Sequence, residues 1–172
     1  MYNVGKWYGG AVGIMEENTG IKRDIVFTGS FKRTLDEKSR MAVPARLRSQ
    51  LERAQDEYEC VYVVCVPGLS VIRIYTYDGW MRFAQAKIDA IEDPIEKHKM
   101  TEEVYKMVEE QRLDGQGRIT INKNFAKKVG IKKNVQILGM GRGIQLSAAE
   151  DDEDEDLTIS EAGENFITSL LF

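Results

Sequence analysis

The feature that most constrains this chain is a stretch written twice. "RTLDEKSRMAVP", Arg33 to Pro44, returns as "RLDGQGRITIN", Arg112 to Asn122. Arg40 falls on Arg118, an offset of 118 − 40 = 78. At that offset Leu35 meets Leu113, Asp36 meets Asp114, and Met41 and Val43 meet Ile119 and Ile121. Leu47 meets Phe125 and Leu51 meets Val129. Two copies are too few for a solenoid, which needs several stacked units. The pattern predicts a duplicated module whose halves pack together.

Each copy follows one local logic. An apolar strand enters the turn at Leu35 or Leu113. Strict alternation follows, with Met41 and Val43 on one face and Arg40 and Ala42 on the other, as in a half-buried strand. Ile119 and Ile121, against Arg118 and Thr120, repeat it. A short helix comes next. Pro44 suits its first turn, Leu47 and Leu51 share a face, as do Phe125 and Val129, and Gly130 is a stop. "VYVVCV" is continuously apolar and predicts a strand buried on both sides; "LSVIRIY", "VQILGM" and "GIQLS" are further strands. Gly68 and Gly141-Arg142-Gly143 mark turns. Between the copies a helical connector is expected. Asp78 is its N-cap candidate, and Trp80, Phe83, Ala84, Ile88 and Ile91 form its stripe. Asp93-Pro94 breaks it, and Ile95, Met100, Val104 and Met107 on a second helix are assigned to the core.

Hydrophobic residues make up 42% and charged residues 30%, enough to pack a core. The net charge of −4 conceals an uneven distribution. From Ala149 onward there are nine acids and no Lys or Arg, while residues 25–148 hold 21 basic and 16 acidic residues. A basic body with an acidic tail points to a polyanionic partner for the body. Two readings of the tail stand side by side: it competes with phosphates for the face that meets the polyanion, or it serves only as a solubilising run. The Gly-rich start predicts a loose arm, Glu150–Asp156 a solvated run, and "SEAGENFITSLLF" a helix from Ser160 with Phe166, Ile167, Leu170 and Leu171 on one stripe.

Catalytic and metal chemistry finds no foothold. His98 is the only histidine and lies among charges in "EKHKM". Cys60 and Cys65, an odd spacing apart on one expected strand, face opposite ways and read as reduced core thiols. One histidine and two such cysteines do not make a zinc site. There is no nucleophile elbow or phosphate loop, and "GMGRG" sits between strands as a hairpin turn. The expectation is no enzyme, no cofactor and no small-molecule ligand. No stretch approaches a membrane span or a signal peptide, so a soluble, intracellular protein is expected.

The repeated turn admits two readings. Its Asp caps the turn through its own backbone, Gly117 permits positive φ, and the Asp–Arg pair serves only to lock the hairpin, worth about 0–1 kcal/mol on a surface. Alternatively the hairpin presents an oriented guanidinium. A two-stranded ribbon fits a DNA major groove, where Arg is the commonest reader of guanine.

"GSFKRTLDEKSRMAVPARLR", "LDGQGRITINKNF", "GLSVIRIYTYDGW" and "VGIKKNVQILGMG" together resemble the MraZ family of bacterial transcriptional regulators, built from two AbrB/SpoVT-like repeats. The resemblance runs from Phe27 to Ser147. It implies a mixed β/α, β-rich fold, a duplicated swapped-hairpin (AbrB-like) β-barrel with a helical connector. The implied order is an N-terminal arm (1–26), a first repeat (27–77), the connector (78–107), a second repeat (108–148) and an acidic tail (149–172). It implies a ring-shaped homo-oligomer in the cytoplasm, associated with the nucleoid. It also implies binding of double-stranded DNA at direct repeats upstream of a division and cell-wall gene cluster. The family's DNA-contacting arginines carry over to Arg40 and Arg118 and its motif aspartates to Asp36 and Asp114 as orienting groups, with Lys38, Gln116 and Arg33 as adjacent contacts. Two departures stand out. Ser39 replaces the family's Gly, at a cost of about 1–2 kcal/mol if its φ is left-handed, and Asn122 stands opposite Pro44. A second reading keeps the fold but makes it a protein-interaction, antitoxin-like module, which the acidic tail and apolar C-terminus favour.

Overall fold

The computed structural model describes residues 26–54, 60–150 and 159–170. The first copy contributes β1 (Ser30–Thr34), β2 (Arg40–Ala42), α1 (Ala45–Ala54), β3 (Val61–Val66) and β4 (Val71–Thr76). The connector comprises α2 (Tyr77–Trp80), one π-helical turn over Met81–Gln85, α3 (Ala86–Asp89) and α4 (Pro94–Tyr105). The second copy repeats the first as β5 (Val108–Gln111), β6 (Arg118–Thr120), α5 (Lys123–Lys128), β7 (Asn134–Gly139) and β8 (Ile144–Ala148). α6 (Glu161–Ser169) follows. The fold is mixed α/β, and every strand pairing among the described residues is antiparallel.

The copies exchange strands. The larger sheet runs β1-β7-β8-β4-β3-β5, and β2 pairs with β6 in a separate two-stranded sheet. The first strand of each copy therefore pairs with the hairpin of the other: β1 lies on β7, and β5 on β3. Swapping the copies reverses the sheet order and leaves it unchanged. The symmetry centre lies where β2 crosses β6, at the pair Met41↔Ile119, and where β4 meets β8, at Arg73↔Gln145. Met41 and Ile119 are each 1% exposed. Around them Leu47, Leu51, Phe125 and Val129 from the two helices meet Val61, Ile72, Val135 and Leu146 from the sheet in one core.

Local chemistry explains where four of the helices begin. α4 begins at Asp93, whose carboxylate accepts from the Ile95 and Glu96 amides at 2.7 and 3.3 Å, with Pro94 in first position. α6 begins as expected at Ser160, whose hydroxyl accepts from the Gly163 amide at 3.1 Å. α5 is capped by the Asn122 side chain, which accepts from the Asn124 amide at 2.8 Å. Pro44 occupies the matching cap of α1, just outside its expected first turn, and its carbonyl accepts from the Arg48 amide at 2.9 Å.

Three expectations are corrected. Thr76, not Asp78, caps α2: it ends β4 in extended geometry, and its hydroxyl accepts from the Gly79 amide at 3.1 Å. β3 is buried on one face only. Val61, Val63 and Cys65 point into the core, while Tyr62 is half-buried and stacks on Trp80 at 5.6 Å, so the connector covers only part of the second face. α4 contributes no buried residue; Ile95 is 69% exposed and Met100 41%. Five residues at 3.6 per turn also set Ile95 roughly 140° away from Met100, so the two do not share a face. Cys60 precedes β3 and Cys65 lies in it; both are free and buried. His98 is exposed. No helix among the described residues is long and apolar enough to cross a membrane. The expectations for the N-terminal arm, for Asp151–Asp156 and for Leu171 lie outside the described residues, Val26 excepted.

The symmetry centre is the mechanical keystone. Ile119→Ala is expected to cost about 2–5 kcal/mol, the usual range for truncating a fully buried aliphatic side chain. Urea denaturation monitored by circular dichroism measures it. Its effect and that of Met41→Ala, directly opposite, are expected not to add.

Candidate nucleic-acid interface

The two repeated turns are built from the same bonds. In the first, the Asp36 amide donates to the Arg40 carbonyl and the Ser39 amide to the Asp36 carbonyl, both at 2.9 Å. One carboxylate oxygen, Oδ1, accepts from the Lys38 and Arg40 amides at 2.9 Å each. The other, Oδ2, accepts from the Arg40 guanidinium, from Nε at 2.8 Å and Nη2 at 2.8 Å. In the second turn Asp114 takes the place of Asp36. Its Oδ1 accepts from the Gln116 and Arg118 amides at 2.9 and 3.0 Å, and its Oδ2 from Arg118 Nε at 2.7 Å. Each aspartate thus folds its own turn with one oxygen and orients its arginine with the other.

These bonds stabilise both carboxylates and so lower the pKa of each group. The Asp36 carboxyl is held down to about 2, first by the Arg40 amide and then by the Arg40 side chain. Asp114 is lowered in the same direction by the Arg118 amide and then its side chain.

The fourth turn position separates the copies. Ser39 takes left-handed φ of 58° and Gly117 φ of 69°. The condition for strain at Ser39 is therefore met. Gly117 is constrained further, because a Cβ there would lie 2.4 Å from Arg48 Nη1 and 2.6 Å from its Cδ. By the offset of 78, Arg48, which stands opposite Gly117, corresponds to Ala126 in the second copy. Both turns are tied across the symmetry axis: the Val43 amide donates to the Gly117 carbonyl at 3.0 Å and the Ile121 amide to the Ser39 carbonyl at 2.8 Å.

The β2–β6 ribbon brings the two arginines to one surface. Arg40 pairs with Thr120 and Ala42 with Arg118, so the arginines are diagonal neighbours on the face opposite Met41 and Ile119. Diagonal positions on such a ribbon are about 7–8 Å apart. The side chains of Arg40 and Arg118 are 30% and 28% exposed. Ala42 and Thr120 complete the face with small groups. Lys38 and Gln116 occupy equivalent exposed positions at the turn tips. Arg33 lies apart from this cluster, on β1, with Nη1 donating to the Lys32 carbonyl at 2.7 Å. Arg48 is the residue that reading the sequence missed. Its stem lies over Gly117 and its Nε is 3.7 Å from Glu52, and only the packing of α1 on the other copy's turn makes it relevant. Among the described residues no group of His, Cys, Asp or Glu is placed to hold a metal ion.

No family model matches the chain. It is similar to the transcriptional regulator MraZ of Chlorobium luteolum, 33% identical over 121 residues, covering 66% of this chain and 77% of that protein. The transcriptional regulator MraZ of Burkholderia vietnamiensis is 31% identical over 121 residues, with 70% and 81% covered. That of Nitratidesulfovibrio vulgaris is 26% identical over 154 residues, with 83% and 99% covered.

Two outcomes test this geometry. Ser39→Gly relieves about 1–2 kcal/mol of left-handed strain and returns roughly 0.4–1 kcal/mol through the freer unfolded chain. A small net stabilisation is expected, whereas Gly117→Ser destabilises by displacing Arg48; thermal melts distinguish the signs. A carboxyl whose folded value is depressed contributes stability above its ordinary value, near 3.8, and loses it as pH falls through about 2. The melting temperature of the native sequence is therefore expected to fall more between pH 4 and pH 2 than that of Asp36→Asn/Asp114→Asn.

Proposed function

The chain belongs to the MraZ family of transcriptional regulators, and from that premise we propose that it reads double-stranded DNA through the β2–β6 ribbon. The observation that carries the reading is the pair of matching Asp–Arg clamps, set on one exposed face and related by the internal symmetry. An arginine guanidinium offers five N–H donors. In the first clamp Asp36 engages Nε and one Nη2 donor, which leaves the distal edge for a base. A guanidinium held in orientation before binding loses less freedom on contact, which favours specificity. Each clamp is charge-neutral as a pair, so phosphate attraction falls to neighbouring cations such as Lys38 at the turn tip.

In its finer form the proposal follows the family. The two sheets compose a duplicated swapped-hairpin barrel, copies of the chain assemble into a ring, and the ring engages direct repeats upstream of a division and cell-wall gene cluster at the nucleoid. The strand exchange and the paired turns support the first part. Linked sites raise avidity without new contacts, so affinity should grow with the number of boxes. The reading of the fold as a protein-interaction module draws support from α6, whose Phe166 and Ile167 are exposed together with Leu170 at its C-cap.

Mobility shifts on repeated-box DNA at fixed salt decide between them. Arg118→Ala is expected to lose about 1–3 kcal/mol of specific binding, the worth of one bidentate base contact. Asp114→Ala is expected to lose part of that by releasing the guanidinium. Unchanged affinity in Arg40→Ala/Arg118→Ala, with a stable protein partner recovered instead, would turn the assignment to the interaction module.

A further inference from the structure

The outer face of the larger sheet carries a cleft that the DNA reading does not use. Along β4, Ile72 and Ile74 point into the core, so Arg73 points outward. The β7–β8 turn presses down on this outer face. A Cβ at Gly143 would lie 2.8 Å from the Ile74 carbonyl oxygen, so glycine alone permits the approach. The neighbouring Arg142 lies over the Phe83 ring at 4.3 Å, a cation–π contact. Together with Arg82 and Lys87 from the connector, and with Met140 on its wall, they line a cleft of about 520 Å³. Four cationic side chains line it and no carboxylate does. Among the described residues Arg73, Lys87 and Arg142 make no ion pair.

Cations gathered beside Phe83 and Met140 favour an acidic segment that also carries apolar side chains. The chain possesses one. Glu150–Asp156 is seven consecutive acids, followed by Leu157 and Ile159, and all but Glu150 and Ile159 of this stretch lie outside the described residues. Its starting point is favourable. β8 ends at Ala148, and Gly143, at the cleft, immediately precedes its first residue. The return distance along the strand is roughly 17 Å at about 3.4 Å per residue, and seven extended residues reach roughly 23–25 Å. We propose that this cleft is the docking site for the Glu150–Asp156 segment of the same chain, with Arg73, Lys87 and Arg142 as its carboxylate partners. The tail then neutralises the face of the sheet opposite the ribbon and leaves the ribbon's own field intact, so its competition with phosphate falls on the cleft.

The proposal stands apart from the DNA reading and is tested on the full chain without DNA. A zero-length carbodiimide joins a lysine amine to a carboxylate only where the two touch, and Lys87 is the one lysine lining the cleft. Peptide mapping is expected to show Lys87 joined to an acid within 150–156. A mixture of isotopically light and heavy protein is expected to show the link within single chains. It should vanish near 1 M salt, where screening acts over about 3 Å, and in Arg73→Glu/Arg142→Glu, which keeps Lys87. In a second variant, all seven acids changed to Asn or Gln, the Lys87 amine is expected to react faster with an acylating reagent. A tail linked instead to Lys38, a link found only between chains, or Lys87 reactivity unchanged by the tail variant would each overturn it. So would loss of DNA binding in Arg73→Glu/Arg142→Glu with no Lys87–tail link, which would make the cleft a nucleic-acid surface.

Discussion

The structure depends on an exchange. Neither copy closes its own sheet: β1 would leave the hairpin β3–β4 with a bare edge, and β5 would do the same to β7–β8. Each first strand crosses to cover the other copy's hairpin, so both edges next to the core acquire hydrogen-bonded partners. The crossing fixes where everything else goes. It draws β2 and β6 together at Met41 and Ile119, seats α1 against the turn of the opposite copy, and leaves the face of the ribbon that carries the arginines partly in solvent. The position of the two arginines is therefore a consequence of pairing topology before it is a matter of side-chain chemistry.

Much of this was legible in the sequence, and most of what was not joins segments far apart in the chain. Alternation around Met41 and Ile119, the cap at Ser160, and the strand on either side of Gly141 are local signals, and the structure follows them. The exchange itself left no local trace, because a strand's inward and outward pattern is the same whether its neighbour belongs to its own copy or the other. The same holds for Arg48 over Gly117 and for the cleft around Arg142, which join segments far apart in the chain. Thr76 displaced Asp78 as a cap because the end of β4, not composition, decides which oxygen faces the first free amides. Ile95 is a different kind of miss: its angle on the helix was available from spacing alone and placed it away from Met100.

The aspartates illustrate how one side chain serves two levels of structure. Oδ1 of Asp36 organises backbone amides and Oδ2 orients a guanidinium, so turn geometry and arginine direction respond to the same proton. Folding of the hairpin and presentation of its arginine are in this sense a single event. Glycine at the fourth position of the second turn lets the Arg48 stem close over it, while the first turn carries a serine and the position matching Arg48 is an alanine.

That difference gives the module a polarity. Two identical halves around a twofold axis would look the same from either end and could favour only a site that does likewise. Here one tip bears Lys38 beside a strained serine, and the other bears Gln116 beside a glycine roofed by Arg48. The ribbon thus has a head and a tail, and its two ends present different chemistry to whatever lies across them.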